Sequence, residues 1–490
     1  MRILHYMFGL PPVYGGGLVR YALDLIKKEM DMGQEVSLLI PGALFTGRKK
    51  KTSIHRTSRY QNIPVYKIRN PLPIPMGNGI LDIDEYTRPC DAKVYEKFFG
   101  QIKPDIIHIH TFMGLHAEFL DEAAQGNIPV IFTTHDYFGI CPIANMLFSG
   151  HICMDQEWKH CGQCCKNAYT KKKLWLEHTI WYRCYRKHTW LVKLVHSIKF
   201  QKKKDNAHKE TIEQMKKQKK ESAACSIQKD YTKLKNYYQT MFQRITCFHF
   251  NSSIAKAVYE SRLGNIDGKV VSIRHAGICD NRRKRSYGKL LRIGYFGTWT
   301  KQKGFFQLLD VCIQLFQENN RNIQLHIYSD LCTRKESFIK VHPYFGNEDL
   351  EKTLEEIDVL IVPSIWPETF GFTALEALSY GVPVILSQYV GAKDLMQEHP
   401  GIGFLYDGTS QGLKEILKKI YVRREMLRTA NENILKMQDI FSFENHTKEV
   451  LKMYLMMQKR LGDRNEISKG VMGISGDDIQ SRKKRFEKPL

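Results

Sequence analysis

The chain alternates short apolar runs with amphipathic segments, and this alternation organises its first half. The runs are rich in β-branched and aromatic residues, and segment 18–32, after the first run, carries apolar side chains at helical spacing. Because parallel strands are joined by helices, this order predicts a parallel, doubly wound α/β sheet. The candidate strands cover residues 3–8, 35–40, 65–68, 106–109, 130–133, 246–250 and 270–274.

The same pattern starts again after a basic, polar junction at residues 280–289. A chain of 490 residues is too long for one ordinary core, and its 43% hydrophobic content is that of a globular protein. The sequence therefore predicts two consecutive α/β domains, over 1–280 and 290–440, with ligand beyond the carboxyl ends of their strands. The second domain's candidate elements are a helix over 304–317 and strands over 291–296, 323–328, 357–362 and 382–386.

The two ends of the chain carry no predicted membrane segment. A last helical pattern covers 441–461, and the composition of 462–490 predicts a disordered tail. No run of about 18 apolar residues occurs, so we expect no membrane-spanning helix. The N-terminal MRILHYMF is typical of a first strand and not of a signal peptide, which predicts a cytoplasmic protein whose 12 cysteines are reduced.

One contiguous segment, VPSIWPETFGFTALEAL at residues 362–378, combines the end of a strand, a loop and a helix that opens at about Gly371. The free N–H groups of a helix's first turn and the positive end of its dipole attract anions. Glu368 in the loop and Glu376 in the helix supply carboxylates that accept hydrogen bonds from sugar hydroxyls. The segment predicts a phosphate site beside a sugar site, although two glutamates at this spacing alone also fit an ordinary strand-to-helix turn.

The string PETFGFTALEALSYGVPVI resembles the Glu–x7–Glu signature of retaining GT-B glycosyltransferases, especially glycosyltransferase family four. The resemblance implies two Rossmann-like domains facing a central cleft, and transfer of a sugar from a nucleoside-diphosphate-sugar to an acceptor hydroxyl, with no cofactor or catalytic metal. It implies that Glu376 binds the ribose hydroxyls and that Glu368 lies near the donor sugar. It also implies that the diphosphate is held by the backbone of Phe370, Gly371, Phe372 and Thr373.

A second donor loop follows the candidate strand 291–296 and reads YFGTWTKQKG. In relatives, a glycine-arginine pair and a later lysine-glycine pair hold the diphosphate. Lys303 with Gly304 matches the later pair, whereas Thr298 stands where many members have arginine. We therefore expect Lys303 to supply the positive charge. The Thr298 departure keeps open a degenerate transferase that acts as a partner subunit of an active one.

The first half contributes a glycine loop and histidines at strand ends. Gly16 and Gly17, with the preceding glycine, lie between the first strand and the first helix, where glycine lets the backbone approach a phosphate or sugar. The loop has neither the dinucleotide fingerprint nor a P-loop lysine, and a plain tight turn fits it equally well. His135 follows strand 130–133, and in the family pattern it contacts the donor sugar. We expect His108 and His110, which end another strand, to shape the same cleft.

A cysteine group follows the His135 motif, and it contains CGQCC. Four thiolates could bind a structural zinc ion tetrahedrally. The spacing differs from that of a standard zinc ribbon, and reduced, buried cysteines that brace a long loop would give the same pattern. The sequence leaves both interpretations open for Cys141, Cys153, Cys161 and Cys164.

The segment 169–204, within an insertion over about 141–240, mixes tryptophan and tyrosine with lysine and arginine. Such a composition suits an anionic membrane surface, but single-stranded nucleic acid or an ordinary helix with solvated lysines would fit it too. The net charge of +23 predicts attraction to anions without choosing among them. We favour peripheral membrane contact and expect no nucleic-acid partner, because many bacterial relatives of the resembled family act on lipid-linked acceptors.

Two rival functions account for less of the chain. A non-catalytic nucleic-acid or zinc-binding protein would explain the charge and the cysteines, but not the two α/β halves. A nucleotide-sugar epimerase of similar fold lacks the full PETFGFTALEAL pattern. We therefore expect a hexosyltransferase-like enzyme that acts on a glycan or lipid-linked acceptor in bacterial surface polysaccharide or glycolipid synthesis.

Overall fold

The computed structural model describes residues 1–44, 51–75, 79–187, 229–318, 321–328, 336–343 and 349–472. These residues form two α/β units with separate sheets, together with a small hairpin of strands β7 (Leu147–Phe148) and β8 (His151–Ile152). The doubly wound α/β fold predicted from the alternating sequence is confirmed.

The first sheet contains eight strands in the order β10-β9-β6-β5-β1-β2-β4-β3, and its neighbours run parallel except β3 and β4 at one edge. Its strands are β1 (Arg2–Tyr6), β2 (Glu35–Pro41), β3 (Ser53–Arg56), β4 (Val65–Arg69), β5 (Ile106–Ile109), β6 (Val130–Thr133), β9 (Cys247–Phe250) and β10 (Gly268–Val270). Its helices are Gly17–Asp31, Ile83–Tyr86, Lys93–Ile102, Glu118–Gln125, Cys161–Cys164, Lys171–Glu177, Ile180–Lys187, Thr232–Gln243 and Ser253–Leu263.

The second sheet contains six parallel strands in the order β13-β12-β11-β14-β15-β16. Its strands are β11 (Leu291–Tyr295), β12 (Ile323–Tyr328), β13 (Ile339–His342), β14 (Val359–Val362), β15 (Val384–Ser387) and β16 (Gly403–Tyr406). Its helices are Phe305–Gln317, Leu350–Glu355, Phe372–Leu378, Asp394–Glu398, Ser410–Val422 and Glu425–Lys436.

The central strands bury nearly all their side chains, because helices cover both faces of each sheet. In the first sheet, Tyr6 at the end of β1 lies in register with Leu39 of β2 and Ile109 of β5. The loops that follow these strands therefore open at one edge. The corresponding edge of the second sheet carries the loop after β14, and the two edges meet at the junction of the units, where the Thr369 hydroxyl donates to the His135 carbonyl.

The final helix, Phe443–Met472, follows the second unit in sequence but contacts the first helix of the chain. Nζ of Lys28 lies 3.1 Å from Oε2 of Glu444, and the hydroxyl of Tyr21 lies 2.9 Å from Nε2 of His446. The helix includes the start of the tail predicted to be disordered, and residues 473–490 lie outside the described residues. None of the described helices has the length and apolar character needed to cross a bilayer.

Most strand predictions agree with the structure within one or two residues, but some short edge strands differ. The strand predicted at 270–274 is Gly268–Val270, because pairing with β9 ends after the bond from the Val271 N–H to the Phe250 carbonyl, 3.0 Å. Strands β3, β13 and β16 have mixed burial and no clean alternation of buried and exposed residues, so no sequence pattern predicted them.

Candidate active site

Glu368 is fixed at the edge of the second sheet by both its backbone and its side chain. Its N–H donates to the Tyr389 carbonyl at 2.8 Å, and its own carbonyl accepts from Gly391 at 2.9 Å. Its carboxylate accepts from Nζ of Lys303 at 2.6 Å and from the hydroxyl of Ser364. The structure thus brings Glu368, which was predicted to lie near the donor sugar, into contact with Lys303, which was predicted to hold the diphosphate. The two residues lie 65 positions apart in the sequence.

Lys303 stands in a loop whose path depends on glycine. Gly304 has a φ of +68°, and a Cβ there would lie 1.8 Å from the carbonyl oxygen of Pro363. This close approach brings the loop after β11 against the loop after β14. Nζ of Lys303 also lies 5.4 Å from the centre of the Trp366 ring, within the range of a cation–π contact. Thr298 is exposed, and its hydroxyl lies 3.5 Å from that of Thr300.

Glu376 lies in the helix Phe372–Leu378 and faces the first unit. Its Oε1 lies 3.0 Å from Nε2 of His275 and 3.5 Å from Nη1 of Arg20. His275 is buried and Arg20 is half-buried. Neither partner was predicted from the sequence, since both belong to the first unit and carry no local motif. The second oxygen of Glu376 has no partner among the described residues and remains available to a ligand.

Two glycine-containing loops meet at this point. Gly16 caps the first helix with a φ of +100°, and Gly371 caps the helix Phe372–Leu378 with a φ of +99°, so both positions favour glycine. A Cβ on Gly17 would lie 3.2 Å from the Phe372 ring, which shows that the loops are in contact. Within the described chain, the N–H groups of Gly371, Phe372 and Thr373 donate to no protein acceptor.

His135 lies at the same junction, at the end of β6. Its carbonyl accepts from the hydroxyl of Thr369 at 2.9 Å, and its Nε2 lies 3.1 Å from Nδ1 of His110. Burial holds the pKa of His135 well below its ordinary value, so the ring is uncharged at neutral pH. The next residue, Asp136, has a pKa raised to about 6 by burial, and its carboxylate accepts from the Phe138 N–H at 2.8 Å. Of the other predicted cleft histidines, His110 contacts His135 directly.

Several polar groups near Glu368 are buried and lack a partner among the described residues. They include the Tyr137 hydroxyl and the indole N–H of Trp366, whose rings lie 6.3 Å apart at right angles. A buried donor without a partner costs about 1–3 kcal/mol, so a ligand or water partner is expected. The sequence offered only the aromatic character of these residues as a signal.

An unpredicted contact joins the two units beside this site. The Asp394 carboxylate accepts from the backbone N–H and the hydroxyl of Ser253, both at 2.6 Å. Asp394 begins a helix of the second unit, and Ser253 begins a helix of the first. The buried carboxylate therefore caps a helix across the junction.

The predicted zinc group lies in the described residues, but its sulfurs do not form a compact ligand set. The groups of three or more ligand atoms within 4.8 Å in the described chain are His5, His108 and His110, and His326, His342 and Glu356. Cys141 is buried, and burial raises the pKa of Cys164 to about 12. Zinc binding by the cysteines therefore stays a prediction.

The described part of the basic aromatic segment forms the helices Lys171–Glu177 and Ile180–Lys187. Trp181 is 86% exposed and Leu176 is 62% exposed. Lys171 forms an ion pair with Glu85 at 2.6 Å, whereas Lys173 lies over the ring of Tyr169. Residues 188–228, which include the rest of the predicted segment, lie outside the described residues.

Comparison with known proteins assigns both units to sequence families. Residues 15–187 match the family described as Glycosyltransferase Family 4, and residues 280–437 match Glycosyl transferases group 1. Among curated relatives, an uncharacterized glycosyltransferase of Methanocaldococcus jannaschii is 23% identical over 181 residues, which are 34% of this chain and 45% of the relative. A 41.2 kDa protein in the cps region of Klebsiella pneumoniae is 31% identical over 116 residues, 22% of this chain and 30% of that protein. The chain thus spans less than half the length of these relatives.

Solved structures match nearly the whole chain. Sucrose-phosphate synthase from Thermosynechococcus elongatus matches with a TM-score of 0.54 and 14% identity, covering 93% of this chain and 98% of the other. HepE of Anabaena, solved with UDP and glucose, matches with a TM-score of 0.51 and 13% identity, covering 92% and 99%. At such identity these matches establish the shared fold. With both family matches, they show that the chain has the GT-B fold and carries two domains that match glycosyltransferase families.

Proposed function

We propose that the protein is a retaining glycosyltransferase that moves a sugar from a nucleoside-diphosphate-sugar to an acceptor hydroxyl. The observation that carries the proposal is the meeting, at one junction, of the Lys303–Glu368 pair with three backbone N–H groups that have no acceptor among the residues the structure describes. A cation and free amides suit a diphosphate, and the adjacent carboxylates suit sugar hydroxyls. HepE, which has the same fold, binds UDP and glucose, which supports a donor of this class.

Each residue has a role in this proposal. Glu376 accepts from the ribose hydroxyls through its available oxygen, while His275 and Arg20 hold the other. Lys303 and the amides of the loop that includes Gly371 stabilise the charge of the leaving diphosphate, which is the main catalytic demand. Glu368 and His135 hold the donor sugar from opposite units. The retaining outcome rests on the resemblance of the Glu–x7–Glu signature.

A cavity in the first unit supports an anionic acceptor. It has a volume of about 510 Å³ and lies between the loop after β1 and strands β2 to β4. Arg59, Lys67 and Arg69 line it. A phosphate-bearing acceptor fits such a lining, and the cavity starts in the loop that leads to the glycines at the cleft.

The cavity also supports an acceptor carried by a membrane lipid. Cys184 lines it and belongs to the helix Ile180–Lys187, which presents Trp181 almost fully to solvent. An exposed tryptophan beside basic residues is typical of a protein that touches an anionic membrane surface. We therefore propose peripheral attachment at the cytoplasmic face of the membrane and a role in surface polysaccharide or glycolipid synthesis.

A thermal-shift panel tests the donor proposal. Nucleoside diphosphates and their sugars are added to the wild type, to Glu376→Ala and to Glu415→Ala, an exposed helix glutamate that contacts Gln411. Because a ligand of the folded state raises the melting temperature, one nucleotide series should stabilise the wild type and Glu415→Ala but not Glu376→Ala. Glu376→Gln, which keeps an acceptor for His275, separates lost donor binding from lost folding.

The other outcomes point to the rival functions. A folded wild type that no nucleotide stabilises would favour a partner subunit without activity. Stabilisation by single-stranded nucleic acid alone would favour a nucleic-acid-binding protein. Flotation with vesicles that contain anionic lipid, compared for the wild type and Trp181→Ala, tests the membrane proposal separately.

A further inference from the structure

Three side chains of the second unit, His326, His342 and Glu356, form what we call the edge cluster, and the proposed sugar transfer uses none of them. Their possible ligand atoms all lie within 4.8 Å of one another. Nδ1 of His326 lies 3.1 Å from Nε2 of His342 and 3.9 Å from Oε2 of Glu356, and Nδ1 of His342 lies 3.4 Å from that oxygen. Two atoms bound to one tetrahedral zinc ion at about 2.0–2.1 Å are roughly 3.3 Å apart, so these spacings suit a shared ion.

Two neighbouring strands and the end of one helix hold the edge cluster. His326 lies in β12, and His342 is the last residue of β13, the strand at the edge of the sheet. His342 is in register with Tyr328, two residues after His326, so both histidines point to the same face of the sheet. Glu356 directly follows the helix Leu350–Glu355. The fold, and not a local sequence motif, therefore brings the three ligands together.

The edge cluster can be reached from solvent. The side chain of His326 is buried, whereas those of His342 and Glu356 are 23% and 39% exposed. The group of three histidines in the first unit, by contrast, is fully buried. Because a metal site needs an entry path as well as ligands, the edge cluster is the better candidate of the two.

The ligands of the edge cluster also have the outer hydrogen bonds that are typical of metal ligands. Nε2 of His326 lies 2.9 Å from Oε1 of Gln324, and an amide oxygen can only accept. The single proton of the uncharged ring therefore lies on Nε2, and Nδ1, which faces His342, has a lone pair. The Tyr328 hydroxyl donates to Oε2 of Glu356 at 3.1 Å. Histidines that bind a metal usually donate their other N–H to an oxygen, and metal-binding carboxylates are usually hydrogen-bonded in turn.

Without a cation, the contacts of His342 conflict. An uncharged histidine has one proton, but His342 has two contacts to satisfy. If its Nε2 donates to His326, the lone pair of its Nδ1 faces the Glu356 carboxylate at 3.4 Å. If its Nδ1 donates to Glu356, two nitrogen lone pairs face each other at 3.1 Å. Either arrangement places two electron-rich atoms in contact, and a cation between the three ligands removes the conflict.

A metal ion suits this place better than an additional proton on a histidine. Burial, together with the neighbouring charges, lowers the pKa of His326 to about 3, and burial also lowers the pKa of His342. Two positive side chains are among these neighbours. Arg292 is already paired with Asp358 at 2.5 Å, and Lys340 is exposed, so that solvent screens its charge. A metal ion, unlike a proton, gains direct bonds to all three ligand atoms.

We infer that the edge cluster binds one divalent transition-metal ion, and that zinc is the ion that two imidazoles and a carboxylate suit. Its ligands are Nδ1 of His326, one ring nitrogen of His342 and the carboxylate of Glu356, with the fourth position left to water. The ion joins β12, the edge strand β13 and the end of a helix, so it stabilises this edge of the second sheet. It takes no part in the proposed sugar transfer, and its binding is tested without a donor or an acceptor.

Calorimetric titration of the chelator-treated, full-length protein with Zn²⁺ tests the site. The variants His342→Gln and Glu356→Gln remove the two partly exposed ligands, and His399→Gln is the matched control, a partly buried histidine of the same unit outside the cluster. We expect one zinc ion to bind equally well to the wild type and His399→Gln. Its Kd should rise by at least about 10- to 100-fold in His342→Gln and Glu356→Gln, because losing an outer partner alone costs that much. The melting temperature in chelator verifies that each variant is folded.

Two further variants test the orientation of His326. Gln324→Glu keeps an oxygen that accepts from Nε2, so zinc affinity should be kept or increased. Gln324→Met has a similar length without an acceptor, and its Kd for zinc should rise on the order of 10- to 100-fold. An unchanged affinity in Gln324→Met would contradict the assignment of Nδ1 of His326 as a ligand.

Cobalt distinguishes the edge cluster from the cysteines of the first unit. Co²⁺ bound by nitrogen and oxygen lacks the thiolate-to-cobalt charge-transfer absorption that a cysteine site would show. We expect a visible Co²⁺ spectrum that is lost in His342→Gln, and no competition from Mg²⁺, which prefers six oxygen ligands. A folded wild type that binds no metal ion, or the same number of ions with equal affinity in His342→Gln, would overturn the inference. An absence of binding would mean that Gln324 presents its amide nitrogen to His326, because the protons of the cluster then satisfy every contact.

Discussion

Replacing Glu368 by glutamine should strengthen binding of the nucleoside diphosphate while it reduces transfer. In the ligand-free protein the ammonium of Lys303 is held by the Glu368 carboxylate at 2.6 Å. If Lys303 holds the diphosphate, this contact must weaken whenever the ligand binds. The carboxylate also repels the ligand's negative charge. Both effects oppose binding, and glutamine removes most of each.

The magnitude follows from the kind of bond that is exchanged. Hydrogen bonds that involve a charged group contribute about 1.5–3 kcal/mol, with the Lys303–Glu368 ion pair toward the upper end and a bond from Lys303 to a neutral glutamine toward the lower end. Because the Lys303 side chain is 29% exposed, solvent screening makes the difference between the two bonds smaller than the full range. The difference is about 1 kcal/mol, which corresponds to a roughly fivefold lower Kd for the diphosphate.

Calorimetry with the diphosphate found in the thermal-shift panel measures this change. Glu415→Gln is the control, since it alters the net charge equally on an exposed helix of the same unit. At high salt, the difference in diphosphate affinity between Glu368→Gln and the wild type should become smaller, because salt screens the repulsion between carboxylate and ligand. An unchanged or weaker affinity in folded Glu368→Gln would show that Lys303 does not move between carboxylate and ligand.

The remaining predictions concern stability, measured by urea unfolding. Gly304→Ala should cost about 3 kcal/mol or more, because its Cβ would meet the Pro363 carbonyl at a positive φ, whereas Gly16→Ala, which faces open space, should cost about 1–2 kcal/mol. Asp136 has a folded pKa of about 6 against 3.8 unfolded, so it binds more protons when folded, and wild-type stability relative to Asp136→Asn should fall as pH rises from about 4 to 6, on the order of 2 kcal/mol. His116 behaves oppositely: burial lowers its pKa from 6.5 to about 3, so its contribution is lost as pH falls below 6.5, and His116→Gln should reduce that slope by about 1.4 kcal/mol per pH unit. If the stability of His116→Gln depends on pH as steeply as that of the wild type, the lowered pKa of folded His116 is contradicted.

The contiguous parts of the fold and site could be predicted from the sequence. Strands such as Ile106–Ile109 and Val130–Thr133 have uniform apolar runs, because both faces of a parallel sheet are buried. The loop and helix around Glu368 and Glu376 lie in one segment, so a contiguous string of residues carried the resemblance. The phosphate-binding role of Lys303 was proposed from its position in the loop that follows the candidate strand 291–296.

The partners of these residues could not be predicted, because they come from distant positions. Arg20 and Glu376 are separated by 356 positions, and Ser253 and Asp394 by 141. No local pattern pairs them, since their contact depends on how the two units close. One signal was present in the sequence: Glu29 follows Leu25 by four residues on the apolar face of the first helix, where an unpartnered carboxyl group would be costly.

The contacts of the final helix also bear on where the boundary between the domains lies. The sequence divides the chain near residue 280, but the buried carboxyl group of Glu29 and the ring of His108 are both satisfied by Tyr454 of the final helix. A first unit without that helix would leave Oε1 of Glu29 and Nδ1 of His108 without the partner that Tyr454 supplies, each costing about 1–3 kcal/mol. The first unit is therefore complete only when the chain returns to it through the final helix.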